Sequence, residues 1–446
     1  MTATSTATDP FHLAWFLNQG FGVGDWRGTW RGTQADDWAN GDSYVEFARS
    51  LERACFDYLI IEDSGFVADN WAGSSELYLR AGLTVPKHDP AVLATVIAKG
   101  TSRLGIVPTL TTTEWPPYLL ARYVSTLDHV AAGRAGWNVV TGSSDLAAQN
   151  HGKPGQPPHD ERYDMADEFV ELVCQLWDSW EPGSVVRDSV AGTYTDPTKV
   201  HPINFEGTYY RCRGPLNTAR SPQGKPVLVQ AGGSARGRAF AAKHADCVIA
   251  SAGTVDEMRG YRADIHREMV ASGRKPGECK VLYLTTPFIG ETETEAIDRK
   301  RRYFQAIHDD PAPTLAFTGF TTNIDFAQYD LDTPIGDLAE QLKTNGHQSS
   351  LDKMLRGKQH MTLRDIAAEP RGFHPTGTPE QVADQMAEMM HAIGGDGFLF
   401  YLPQATLFNR RTVAEITDGL VPELQRRGLV RTAYAYDHFR DNLLDF

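Results

Sequence analysis

The chain has 446 residues, of which 41% are hydrophobic, 22% charged and 10% aromatic, with a formal net charge of −14. That composition excludes a disordered or fibrous chain, and the acidic balance argues against nucleic acid or an anionic membrane as partner, since both recruit clustered Lys and Arg. There is no run of 18 or more apolar residues, so no helix is expected to span a bilayer, and residues 1–10 lack the basic and apolar regions of a secretory signal, so a cytoplasmic protein is expected.

Short apolar, β-rich runs predict strands at 12–16, 58–61, 104–109, 135–140, 227–231, 247–250, 281–289 and 397–401. Helical periodicity fills the gaps, at 42–55, 90–99, 117–129, 163–177, 235–244, 255–271, 293–306, 379–393 and 412–427. Val45, Ala48, Leu51 and Ala54 carry the apolar stripe of the first helix, and Asp89-Pro90 reads as an N-cap with proline at the first helical position. Length alone suggests about three domains. Eight strands each followed by a helix instead predict an α/β chain folded as one TIM-like (β/α)8 barrel, 1–446. Two insertions enlarge it, at about 178–225 and 308–378. The first is rich in Pro, Gly, Asp and Thr; the second is polar with short apolar runs only. Such long connections serve as lids or subunit contacts. With the acidic segment 434–446 they make a homo-oligomer (dimer or tetramer) the expectation.

Barrel chemistry belongs at the C-terminal ends of the strands. There the chain places Glu62-Asp63-Ser64, then Thr109 to Thr113, then Asn138-Val139-Val140-Thr141-Gly142-Ser143. Strand five runs into Gly232-Gly233-Ser234-Ala235-Arg236-Gly237-Arg238 at a helix start. Free N–H groups, close backbone approach and two arginines there suit a phosphate monoester, although a plain Ser234 cap explains the same turn. His159 and Tyr163, four apart, meet on one face, and Asp160 is a candidate cap for the helix they introduce. Trp15, Phe16, Phe21 and Trp26 form either an apolar substrate wall, favouring an apolar or aromatic substrate, or part of the core.

Other patterns are weaker. Gly20-Phe21-Gly22-Val23-Gly24-Asp25 fails the dinucleotide fingerprint at its sixth position and reads as a loop over the barrel mouth. Glu62 and Asp63 are adjacent, so their side chains should point to opposite faces and not share a substrate. The five cysteines include no C-x-x-C, and the 14 histidines no H-x-H or H-E-x-x-H, so reduced thiols and no metal site are expected.

The segments 134–141 (RAGWNVVT), 159–163 (HDERY) and 230–237 (QAGGSARG) together resemble the bacterial-luciferase-like flavin monooxygenases. The similar branch is that of the nitrilotriacetate, dibenzothiophene-sulfone and long-chain alkane monooxygenases. STLDH at 125–129, DPTKVH at 196–201 and VPELQRRG at 421–428 extend the likeness over essentially the whole chain. The resemblance implies a TIM-like barrel with insertions and reduced FMN as cosubstrate. A separate NAD(P)H:flavin reductase would supply it, and O2 would oxygenate a small organic substrate. It places Asp63, Thr109 or Thr111, Asn138 and the Thr141-Gly142-Ser143 segment beside the flavin ring. His159, Tyr163 and Ser234, helped by Gly233 and Ala235 N–H groups, would hold the phosphate and ribityl chain. Gly142 and Gly233 replace bulkier residues of the family, and Ser143 stands where the alkane branch has a histidine, so that acid–base chemistry does not carry over. Asp63 and Ser143 remain the catalytic candidates. The competing expectations are a non-catalytic flavin-binding barrel and a TIM-barrel hydrolase built on Asp63 or Glu62.

Overall fold

Eight parallel strands close into a barrel in the computed structural model, which describes residues 10–18, 38–344, 346, 348–402 and 407–446. They are β1 (His12–Leu17), β2 (Tyr58–Ile61), β3 (Gly105–Thr111), β4 (Gly136–Val140), β5 (Val227–Gln230), β6 (Cys247–Ala250), β7 (Lys280–Thr285) and β8 (Gly397–Tyr401). Each pairs with its sequence neighbours, and β1 closes the ring against β8. The strands are short, continuous apolar runs because both faces are buried. Side-chain alternation sorts them: Ala14, Ile60, Val107, Val229, Ile249 and Leu399 fill the interior, whereas Leu13, Trp15, Leu59 and Phe400 pack outward under the helices.

The outer layer comprises α1 (Asp42–Arg53), α2 (Pro90–Gly100), α3 (Pro117–Val130), α4 (His159–Asp178), α5 (Ala235–His244), α6 (Val255–Ala271), α7 (Glu293–Asp309) and α8 (Pro379–Ile393). Asp89 caps α2, its carboxylate accepting from Ala91 N at 2.8 Å and Val92 N at 3.1 Å ahead of Pro90. The last helical run spans Arg410–Ala414, a π-helical Glu415–Leu420 and Val421–Arg426. Among the described residues, no helix is long and apolar enough to cross a membrane.

Several boundaries differ from the sequence reading. The run at 281–289 is two elements: β7 ends at Thr285, and Phe288–Ile289 leaves the barrel to pair with Thr376–Gly377. The helix expected at 163–177 begins a turn earlier, at His159. Its N-cap is therefore Pro158, and Asp160 instead faces the ring of His159, 2.7 Å from Nδ1. The segment 434–446 is not simply surface. Its helix Phe439–Leu444 closes the bottom of the barrel with Phe439 and Leu443 buried, and Arg440 holds both oxygens of Asp246 at 2.8 Å. A Cβ on Gly105 would lie 2.8 Å from the Phe439 ring, which is why β3 opens on glycine.

The insertion at 178–225 carries two small antiparallel pairs, Val185–Asp188 with Thr193–Thr195 and Phe205–Glu206 with Arg211–Cys212. The one at 308–378 is more ordered than its polarity suggests. Leu315, Ile324, Phe326, Leu338, Met354 and Ile366 belong to a core of its own, built around the helix Ala312–Thr322.

Candidate functional site

A cavity of about 390 Å³ opens at the C-terminal rim, within the usual range for a small-molecule site. Phe16, Glu62, Thr111, Val140, Gln230, Ile249, Leu284 and Tyr401 line it, so all eight strands end on it. Alternation explains the selection on β3 and β4. Thr109 pairs in register with Asn138, both side chains face inward, and Asn138 Nδ2 donates to Thr109 Oγ1 at 2.9 Å. Asn138 Oδ1 is buried without a partner among the described residues, and so is Gln230 Oε1.

On the β5 side, the start of α5 faces the cavity. Ser234 caps the helix, its Oγ accepting from Gly237 N at 3.0 Å, and His159 Nε2 lies 3.4 Å from the same oxygen. The cap satisfies one N–H of the first turn and leaves those ahead of it without an intrahelical acceptor. The His159 and Tyr163 rings stand 5.2 Å apart on one face of α4. Tyr163 is buried, which raises its phenol pKa, while hydrogen bonding with Gln230 and Thr141 works in the opposite direction.

The two arginines of the turn do not add free charge. Arg236 is held by Asp164 at 2.9 Å and Asp167 at 2.6 Å, and Arg238 by Gly233 O at 2.7 Å and Asp264 at 3.6 Å. Among the described residues, the arginine lining the cavity is Arg162, which the sequence reading passed over; it is buried and donates to Pro157 O at 2.9 Å.

The β2 side is acidic. Both Glu62 and Asp63 line the cavity, contrary to the alternation argument, because β2 ends at Ile61 and the chain beyond it is no longer a strand. Glu62 is paired with Lys87 at 2.6 Å, and Lys87 also donates to Ser64 Oγ at 2.7 Å. Asp63 accepts from Ser64 N at 2.8 Å. Burial pushes its pKa up to about 7, with Lys87 pulling down and Glu62, Glu114 and Asp89 pushing up. Glu114, on the same side, is also raised by burial.

Of the residues singled out from sequence, Asp63, Thr109, Thr111, Asn138, Thr141, Gly142, Ser143, His159, Tyr163, Gly233 and Ser234 all line this cavity. Ala235 lies just behind it as the first residue of α5. Gly142 adopts φ +70°, and a Cβ there would come within 2.8 Å of Gln156 and Thr113, so the missing side chain is a backbone requirement. Ser143 offers its carbonyl to Asn323 of the second insertion at 2.7 Å. Of the two residues of the proposed aromatic wall that the structure describes, Phe16 reaches the cavity and Trp15 does not. Trp15 is fully buried among Phe47, Phe56, Phe400 and Phe408, while Phe21, Trp26 and the glycine loop 20–25 lie outside the described residues. Phe66, Phe317, Phe320, Thr321 and Gly346 line it unforeseen, the last four from the insertion. Among the described residues, no three His, Cys, Asp or Glu side chains cluster to hold a metal ion.

A rim of this kind, with a helix start at one side and a buried near-neutral acid at the other, suits an enzyme that positions a phosphorylated cofactor. Comparison with known proteins names the class. Residues 23–397 match the model of the luciferase-like monooxygenases. The chain is 36% identical to the dibenzothiophene-sulfone monooxygenase of Rhodococcus erythropolis (strain XP), over 97% of this chain and 96% of that one. It is 34% identical to nitrilotriacetate monooxygenase component A of Aminobacter aminovorans, over 90% and 89%. Among solved structures, a riboflavin lyase with modified FMN and substrate riboflavin superposes with a TM-score of 0.86 at 32% identity, covering 98% of this chain and 96% of that one. The protein belongs to the luciferase-like monooxygenase family, a flavin-dependent family of enzymes with this barrel, and is itself a monooxygenase.

Proposed function

We propose that this chain is the oxygenase of a two-component system, taking reduced FMN from a separate NAD(P)H:flavin reductase and using O2 to oxygenate a small organic substrate. The observation that carries the reading is the start of α5, whose cap Ser234 and neighbour His159 face the same cavity as the orphaned acceptors Asn138 Oδ1 and Gln230 Oε1. The residues fit FMN. Helix-start N–H groups suit its phosphate, and the orphaned acceptors suit the N–H of the ring and the hydroxyls of the ribityl chain. One relative named as a component A accords with a separate reductase.

When bound, reduced FMN supplies the electrons that activate oxygen, and the protein supplies position and a dry site. Ser234, His159 and the N–H groups of Gly233 and Ala235 hold the phosphate; Tyr163 supports the chain between phosphate and ring. Asn138, fixed by Thr109, orients the ring edge, with Thr111 and the 141–143 segment beside it. Asp63 keeps a proton on its carboxyl up to about neutral pH and can pass it to the reacting centre. The second insertion, held by Asn323 to Ser143, covers the mouth and excludes water, so residues 1–446 act as one enlarged barrel domain.

The test supplies purified protein with FMN, NADH and a generic flavin reductase, then follows oxygen from labelled O2 into sulfones, amines, alkanes and haloaromatics. Labelled product from one class is the expected result. Failure to bind FMN refutes the reading, and FMN binding with peroxide release alone across the panel favours the non-catalytic barrel.

A further inference from the structure

Three phenylalanine rings on the β2 side of the cavity share nearly one orientation. Phe66 and Phe320 have centroids 4.9 Å apart and planes 16° apart, and Phe317 and Phe320 are 6.0 Å apart at 20°. Phe66 follows β2, while the other two project from Ala312–Thr322, more than 240 residues later. The two segments are locked together. Tyr78 OH lies 2.8 Å from Ala316 O and 2.7 Å from Asn70 Oδ1, so the helix carrying the rings is fixed to the loop carrying Phe66. Phe320, the ring that stacks with both others, is buried, and Phe66 and Phe317 keep part of their surface on the cavity.

Charge limits what can occupy that side. Glu62, Asp63 and Glu114 line it, whereas His159 and Arg162, the basic side chains lining the cavity among the described residues, stand on α4 toward the proposed phosphate site. A polyanionic substrate would meet carboxyl groups whose neighbouring lysines are already engaged, Lys87 by Glu62 and Ser64 and Lys153 by Thr113 O. An uncharged flat ring would meet the apolar surface of Phe66 and Phe317, whose planes each lie within 20° of Phe320, so a ring parallel to theirs extends the existing stack.

The geometry points to a stacking subsite, formed by Phe66, Phe317 and Phe320, that selects a neutral, planar ring system as substrate and rejects polyanions. This rests on the flavin reading above, which places FMN toward α5 and leaves the β2 side to the substrate.

Titration calorimetry on the FMN-loaded protein tests it with three probes: dibenzothiophene sulfone (flat and neutral), dicyclohexyl sulfone (the same polar group on puckered rings) and nitrilotriacetate (a polyanion). The flat sulfone is expected to bind about tenfold more tightly than the puckered one, and nitrilotriacetate not to bind. Phe317→Leu keeps the apolar volume and should weaken the flat sulfone about fivefold, leaving the puckered sulfone and FMN within about twofold. Equal affinity for the two sulfones, or binding of nitrilotriacetate, overturns the subsite. So does Phe317→Leu weakening FMN as much as the sulfone, since the rings would then hold the flavin. Absence of FMN binding by the unaltered protein refutes the flavin reading instead, so the two failures are distinguishable.

Discussion

Asp63 offers the sharpest quantitative test, because its acidity is set by burial and its role depends on that acidity. Its folded pKa is raised from 3.8 to about 7, burial outweighing the pull of Lys87. In the unfolded chain the carboxyl ionises near the lower value, so across this window the folded protein holds the extra proton. The sign follows: stability from this group is fully present below about pH 4 and is lost as pH rises through about 7. At about 1.4 kcal/mol per pH unit, a span of about three units is worth at most about 4 kcal/mol. Asp63→Asn removes the titration and keeps the shape. In paired urea unfolding curves from about pH 5 to pH 9, the difference between variant and parent cancels the other titrating groups. The variant should gain on the parent by about 3 kcal/mol between about pH 5 and pH 8, then level off. A difference that stays flat, or a variant that loses ground as pH rises, would refute the reasoning; a carboxylate held ionised by Lys87 gives the flat trace, because it is charged in both the folded and the unfolded chain across that window.

Three further outcomes separate binding from scaffolding. Ser234→Asp keeps a good helix cap but sets a carboxylate against the phosphate, so FMN affinity by fluorescence quenching should fall at least about tenfold with the melting temperature nearly unchanged; unchanged affinity rejects the phosphate site. Arg236→Met should leave FMN affinity within about threefold, because the guanidinium serves Asp164 and Asp167; Asp167 keeps His244 and Lys243 and Asp164 is solvated, so denaturant unfolding should show a loss of at most about 1 kcal/mol; a large loss of FMN affinity would mean the arginine reaches the phosphate after all. Trp15→Ala empties a fully buried site and should cost about 3–5 kcal/mol, with probe and FMN binding by the folded protein within about twofold; a selective loss of sulfone binding would return Trp15 to the substrate wall.

What sequence could reveal follows from how local each signal is. The eight strands and the Asp89-Pro90 helix start are written in neighbouring residues, and so are the rim groups, because a barrel puts every strand end on one face. Alternation also held the answer for Trp15 and Phe16, which cannot both face one cavity while they lie in β1. The same rule misled at Glu62 and Asp63 because it stops where the strand stops, one residue earlier. Arg236 was misread as free charge because its acidic partners lie on α4, 69 and 72 residues back in the chain. The second insertion looked polar because Leu315, Phe326, Leu338, Met354 and Ile366 are spread over short helices, so no single window displays a period. Phe317 and Phe320 gain meaning only beside Phe66, a proximity that folding creates.

The distribution of charge around the rim bears on more than substrate choice. A flavin has one strongly anionic end, and the cavity differs between its two sides: helix-start N–H groups, His159 and Arg162 toward β5, and Glu62, Asp63 and Glu114 toward β2. Reversed binding would set a phosphate against carboxylates in a site where low polarity strengthens repulsion. The proposed orientation satisfies the α5 start and keeps the phosphate away from Asp63, whose carboxyl burial pushes up to about 7. On the proposed reading the β2 side has one physical character with two consequences: it offers an anion no unengaged cation among the described residues and, through burial, it holds a proton on Asp63 near the reaction. The net charge of −14 is consistent with this arrangement but conceals it, since the proposed phosphate site relies on backbone N–H groups that no count of Lys and Arg includes.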